Sequence, residues 1–124
     1  MNILLIDDEY ISNFINKKLI ENIDASIHTI EFNDPEEAFN KLHCIKPDLV
    51  FLDINMPVMN GWDFLNKMEE EEMDYKVVIL TSSVNTIDRR MAMKYENVIG
   101  FVEKPATIKG IAPYIAELVA AAVA

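Results

Sequence analysis

The sequence predicts an α/β fold, a doubly wound sandwich on a mainly parallel five-stranded sheet flanked by five helices. Three observations lead there. Continuous aliphatic runs recur along the chain, as in strands buried on both faces of a parallel sheet. Between the runs, apolar residues repeat at helical spacing. Carboxylates, hydroxyls and a lysine follow directly on the runs, where the working site of such a sheet lies.

The elements follow in order along the 124 residues, a length that suits one domain spanning 1–124. Ile3-Leu4-Leu5-Ile6 reads as the first strand. Ile11, Phe14, Ile15 and Leu19 form the apolar face of a first helix. Residues 26–32 mix Ile27, Ile30 and Phe32 with His28, Thr29 and Glu31, a polarity that suits an edge strand. Asp34-Pro35-Glu36-Glu37 is a helix start, with Asp at the cap and Pro in the first turn. Ala38, Phe39, Leu42 and Ile45 make that helix's buried stripe, and Pro47 ends it.

Leu49-Val50-Phe51-Leu52 is the third strand, and Phe64, Leu65 and Met68 mark the third helix, with 69–72 its solvated acidic end. Val77-Val78-Ile79-Leu80 is the fourth strand, and Ile87, Met91 and Tyr95 suggest the face of a fourth helix. Val98-Ile99-Gly100-Phe101-Val102 is the fifth strand. Ile108, Ile111, Ala112, Ile115, Leu118, Val119 and Ala122 trace a fifth helix, with Pro113 a candidate bend. Sequential strands joined by helices give parallel pairing with right-handed crossovers.

Charge and cysteine content exclude several function classes. Against 21 Asp plus Glu stand 11 Lys plus Arg, a formal charge of −10. Nucleic acid and anionic membrane surfaces need clustered cations, and the basic neighbours are only Lys17-Lys18 and Arg89-Arg90. The single Cys44 allows no internal disulfide, Asp7-Asp8-Glu9 interrupt the first apolar run before it resembles a signal peptide, and no run approaches membrane-span length. A cytoplasmic protein is expected.

The predicted strand ends gather one constellation. Asp7, Asp8 and Glu9 follow the first strand, and Asp53, then Ile54-Asn55-Met56-Pro57, follow the third. Thr81, Ser82 and Ser83 follow the fourth, and Glu103, Lys104 and Pro105 the fifth. Three neighbouring Asp repel, and a hard divalent cation with oxygen ligands, Mg²⁺ above all, relieves the repulsion. Mg²⁺ takes one or two carboxylates plus phosphate oxygens and waters, which leaves an Asp to act as a nucleophile toward a phosphoryl group. A lysine and a hydroxyl supply the point charge and the donor that transferred oxygens need.

Asp7-Asp8, Leu52-Asp53-Ile54-Asn55-Met56-Pro57 with Gly61, Thr81-Ser82 and Lys104-Pro105, in that order at those strand ends, resemble the receiver domain of bacterial two-component signalling along essentially the whole chain. The resemblance implies a flavodoxin-like strand order 2-1-3-4-5. It implies that Asp53 accepts phosphate from a histidine kinase or histidine phosphotransfer protein. Asp8, Asp53 and the backbone carbonyl of Asn55 would hold Mg²⁺, with Asp7 supporting it mostly through water. Thr81 would hydrogen-bond the phosphoryl group, and Lys104 would pair with it before a cis Lys104-Pro105 bond. Phe101 stands at the aromatic switch position, often Tyr, and would turn inward as Thr81 moves. The readout face to a downstream protein would be the fourth helix, fifth strand and fifth helix, over residues 85–95, 98–102 and 107–118, in a monomer or a phosphorylation-dependent dimer. Asn55 and Ser83 would flank the attacking water and tune the phosphate's lifetime. No cofactor beyond Mg²⁺ is implied, and no enzyme activity beyond self-phosphorylation and autodephosphorylation. A stand-alone receiver without an output domain is expected, a segment of a longer regulator being the other reading.

Competing readings fit less well. An Asp-Asp pair after a strand can be a helix cap alone, but here it comes with Asp53 and Lys104. A phosphatase of the haloacid dehalogenase type wants an acid two residues after its nucleophile, where this chain has Asn55, and its metal motif follows the nucleophile, whereas Asp7-Asp8 precede Asp53. A phosphate-independent module of the same fold has no need of the intact acids and lysine. A flavin phosphate would be repelled by Asp7-Asp8-Glu9. His28 and His43 fall away from the strand-end rim.

Overall fold

The computed structural model describes residues 1–82 and 85–123. Five strands and five helices alternate: β1 (Asn2–Ile6), α1 (Tyr10–Ile23), β2 (His28–Phe32), α2 (Pro35–Ile45), β3 (Leu49–Asp53), α3 (Gly61–Glu70), β4 (Val77–Thr81), α4 (Thr86–Ala92), β5 (Val98–Glu103) and α5 (Ile108–Val123). All strand pairs are parallel and the order is β2-β1-β3-β4-β5, the flavodoxin-like order expected. The polar strand β2 is indeed an edge, and the aliphatic runs of β1, β3 and β4 fill the buried centre.

Alternate residues of these runs feed two cores. Leu4, Ile6, Val50, Leu52 and Ile79 pack under α2 and α3, while Ile3, Leu5, Phe51, Val78 and Leu80 pack under α5 and the inner end of α1. Local chemistry starts the helices. The Asp34 carboxylate accepts the Glu36 N–H ahead of Pro35, as the sequence predicts for α2. A reciprocal pair, Asn60 side chain to Asp63 N–H and Asp63 side chain to Asn60 N–H, starts α3. Asn85 caps α4 by accepting from Asp88 N–H. α5 runs on through Pro113.

Two helices sit differently from the expectation. On α1 the stripe Ile11, Phe14 and Ile15 is exposed, Ile11 by 70%, and Leu19 is half-buried. The inward positions are Asn13, Asn16 and Ile20, which share the 3-4 spacing on the opposite side of the helix. Periodicity fixes that a stripe exists, and packing against the sheet selects which stripe turns inward. On α4 only Ala92 is buried; Ile87 and Met91 are exposed, and Tyr95 lies beyond the helix, stacked on Trp62. α4 is short, so its apolar residues never complete an inward face. Ala122, counted in the α5 stripe, is exposed in the last turn, and Ile108 is exposed in the first.

Two glycines are required by space. An added Cβ on Gly61 would stand 2.8 Å from Ile54 Cα and 2.9 Å from the Asp53 carbonyl oxygen. One on Gly100 would meet the Tyr114 hydroxyl, which donates to the Phe101 carbonyl at 3.3 Å. The Gly61 obstacle is backbone and cannot swing aside, so Gly61→Ala is expected to destabilise the domain by about 1–3 kcal/mol in urea unfolding. An unchanged midpoint would mean that the β3–α3 turn relaxes freely.

Candidate functional site

Every residue of the site stands at the carboxyl end of a strand. Asp53 is the last residue of β3 and Thr81 the last of β4, so each strand runs one residue further than the sequence suggests, because the ladder continues through them. Asp7 follows β1 and Lys104 follows β5. The Lys104 backbone N–H donates to the Thr81 carbonyl at 2.8 Å, tying the lysine to the strand end that carries the threonine. The Lys104-Pro105 bond is cis, as the resemblance implies.

At the centre, the Lys104 ammonium donates to Asp7 Oδ2 at 2.6 Å and lies 3.3 Å from Asp53 Oδ2. Asp7, Asp53 and Thr81 are buried, whereas Asp8 and Asn55 are exposed. The second oxygen of each buried carboxylate is held by a backbone N–H two residues on: Glu9 N–H to Asp7 Oδ1 at 2.9 Å, and Asn55 N–H to Asp53 Oδ1 at 3.2 Å. One ammonium thus serves two buried carboxylates, and a surplus negative charge remains.

Electrostatics follow from that count. Burial pushes the Asp53 carboxyl up to about 6 and the Asp7 charge pushes the same way, while Lys104 opposes both. For Lys104, burial by itself works downward; the hydrogen bond and charge of Asp7, then Asp53, outweigh it and hold the ammonium above its ordinary value.

The same surplus suits a cation. Asp7, Asp8 and Asp53 each bring a carboxylate oxygen within 4.8 Å of the others, an all-oxygen set fitting a hard divalent ion such as Mg²⁺. Asp8 is exposed at the rim of this set, whereas Asp7 and Asp53 are buried and share Lys104.

Phe101 is half-buried against the α2–α3 core, with the Arg89 guanidinium 5.6 Å from its ring. His28 and His43 are exposed and away from the site, His43 against Tyr75. Ser83 lies outside the described residues. Two residues went unremarked in the sequence: Asn13 and Asn33 both donate side-chain N–H to the Asp7 carbonyl. An asparagine on the inward side of α1 was the available signal, hidden by the apolar stripe opposite.

The raised Asp53 carboxyl makes stability depend on pH. Folded Asp53 holds its proton up to about pH 6, above the ordinary carboxylate range of about 4, so stability falls as pH rises through that window. Without divalent ions, Asp53→Asn is expected to stabilise the fold by about 1–3 kcal/mol at pH 7.5 and by less at pH 5. Urea titrations at the two pH values check this, and a difference independent of pH would contradict it.

Comparison with known proteins agrees with the geometry. The family model described as "Response regulator receiver domain" matches residues 3–116. The chain is 33% identical over 92 residues to the nitrate/nitrite response regulator protein NarL of Escherichia coli, covering 74% of this chain and 43% of NarL. It is 27% identical over 107 residues to the cyclic di-GMP phosphodiesterase response regulator RpfG of Xanthomonas campestris, covering 85% of this chain and 28% of RpfG. The chain therefore spans less than half of either relative. A two component response regulator from Cytophaga hutchinsonii superposes with a TM-score of 0.85 at 27% identity, covering 96% of each chain. The Vibrio cholerae chemotaxis protein CheY4 shares the fold at a TM-score of 0.82 and 19% identity, over 94% of this chain and 97% of that one. No helix among the described residues is long and apolar enough to cross a membrane. With four strand ends converging on one lysine and three aspartates, and a family match over nearly all its length, the chain belongs to the response regulator receiver domains of two-component systems.

Proposed function

We propose that Asp53 accepts a phosphoryl group from a histidine kinase or histidine phosphotransfer protein and that the domain signals by the resulting change of shape. The observation that carries this reading is Lys104 set between Asp7 and Asp53. An Asp53 oxygen attacks phosphorus, the phosphorus–nitrogen bond to the donor imidazole breaks, and its electron pair stays on the nitrogen, which takes up a proton. Asp8, Asp53 and the Asn55 carbonyl would hold Mg²⁺, with Asp7 in support, and the ion would supply charge neutralisation. Lys104 exchanges its contact with the Asp53 carboxylate for the new phosphoryl oxygens, and the Thr81 hydroxyl donates to another.

Lys104 and Thr81 belong to adjacent strand ends, so drawing both toward phosphate biases β4–β5 and the neighbouring Phe101. Phe101 lacks a hydroxyl, so its rotation acts through packing against Arg89 and the exposed apolar face of α4, β5 and α5. That face serves a downstream protein or a second phosphorylated copy. A protein donor is supported by the surface beside the acceptor: exposed Ile11 and Ile15 line one groove with Lys104 and Pro105. The working description is a phosphoacceptor in the cytoplasm with no catalysis beyond gaining and losing its own phosphate.

Incubation with acetyl phosphate and Mg²⁺ tests the acceptor. Wild-type protein is expected to gain one phosphoryl group by mass spectrometry, and folded Asp53→Asn none; equal labelling of both removes Asp53 from the role. A second outcome separates uptake from transmission. Lys104→Ala is expected to take up phosphate yet to lose most of the wild-type amide shifts across α4 and β5 in NMR spectra. Full wild-type shifts in that variant would contradict the lysine's part in the switch.

A further inference from the structure

The Asp7 carbonyl is held by two asparagine side chains from different elements. Asn13 Nδ2 donates to it at 3.2 Å and to the Phe32 carbonyl at 3.0 Å, while Asn33 Nδ2 donates to it at 3.1 Å. The Asp7 N–H in turn donates to the Phe32 carbonyl at 3.1 Å. Asn13 is fully buried, and its Oδ1 has no partner among the described residues. Burying an amide oxygen without a partner is unfavourable, a cost that leucine at this place would not carry. What asparagine supplies instead is a pair of N–H groups aimed at two carbonyls.

The peptide unit is planar, so fixing the Asp7 carbonyl fixes the plane that joins Asp7 to Asp8. The two carboxylates leave that plane toward different surroundings. Asp7 is buried on Lys104, and Asp8 is exposed. We propose that Asn13, assisted by Asn33, is a positioning residue for the cation site: it sets the Asp7–Asp8 peptide so that Asp7 meets Lys104 while Asp8 stays outside to ligate a divalent ion. This rests on the receiver reading and assigns a role to residues outside its acid and lysine set. Outer partners that orient a metal's ligands typically change its affinity 10–100-fold when removed.

The test compares Mg²⁺ affinity by calorimetry in wild type, Asn13→Leu, Asn33→Ala and Asn16→Leu. Asn16 is buried on the same inward side of α1, so Asn16→Leu makes the same chemical change without touching the Asp7 peptide. Asn13→Leu is expected to weaken Mg²⁺ binding on the order of tenfold and Asn33→Ala by less, with Asn16→Leu at the wild-type value. The Glu9 amide resonance, which reports its hydrogen bond to Asp7 Oδ1, is expected to move in Asn13→Leu and not in Asn16→Leu. Wild-type affinity in folded Asn13→Leu and in Asn33→Ala overturns the inference. Should Asn13→Leu fail to fold, Asn33→Ala decides: reduced affinity supports the positioning role and unchanged affinity removes it. Wild-type protein that takes up no Mg²⁺ overturns the proposed cation site, and this inference with it.

Discussion

Lys104 is one ammonium among more carboxylates than it can neutralise, and much of the molecule follows from that shortage. It touches Asp7 and Asp53 from a strand end of its own, so β1, β3 and β5 must all arrive at one place in register. This lysine offsets part of the cost of two buried carboxylates, because an unpaired charge in a low-dielectric interior is far costlier than a paired one. Backbone N–H groups from Glu9 and Asn55 take the remaining oxygens. Burial and the charge of Asp7 raise the Asp53 carboxyl, and the charge left over makes the rim receptive to a divalent cation.

The same arrangement is a poised one. A phosphoryl group on Asp53 would bring oxygens that compete for Lys104 and Thr81, whose backbones are already hydrogen-bonded across β4 and β5. On the proposed reading, a local change of charge would act on the edge strand β5, whose pairing with β4 is irregular between Val77 and Val78 of β4. Gly100 and Tyr114 lie in that strand and the helix covering it, with the tyrosine hydroxyl on the Phe101 carbonyl.

Helix α1 departs most from simple amphipathic logic. Its polar residues Asn13 and Asn16 turn inward and its apolar Ile11, Phe14 and Ile15 turn outward. Asn13 spends its amide on the loop that carries the acid pair, and the outward stripe borders Lys104 and Pro105. Helix orientation here serves the site at the expense of burial, since Ile20 and half-buried Leu19 and Ile23 carry most of the helix's contact with the core.

Strand identity, the α/β class and the candidate acids, threonine and lysine were legible in the sequence, because continuous aliphatic runs and the residues ending them are local features. The start of α2 was legible for the same reason, since Asp34 and Pro35 act on their own turn. The inward sides of α1 and α4 were not, because helical spacing fits more than one stripe and only packing against the sheet selects among them. Nor could spacing reveal that Asn13 and Asn33, from separate elements, meet on one carbonyl. By itself the sequence determined which groups are available and on which strand ends they fall. The tertiary structure alone decided which carboxylate Lys104 grips most closely, how far burial raises Asp53, and which asparagines hold the loop, because those depend on distances between segments far apart along the chain.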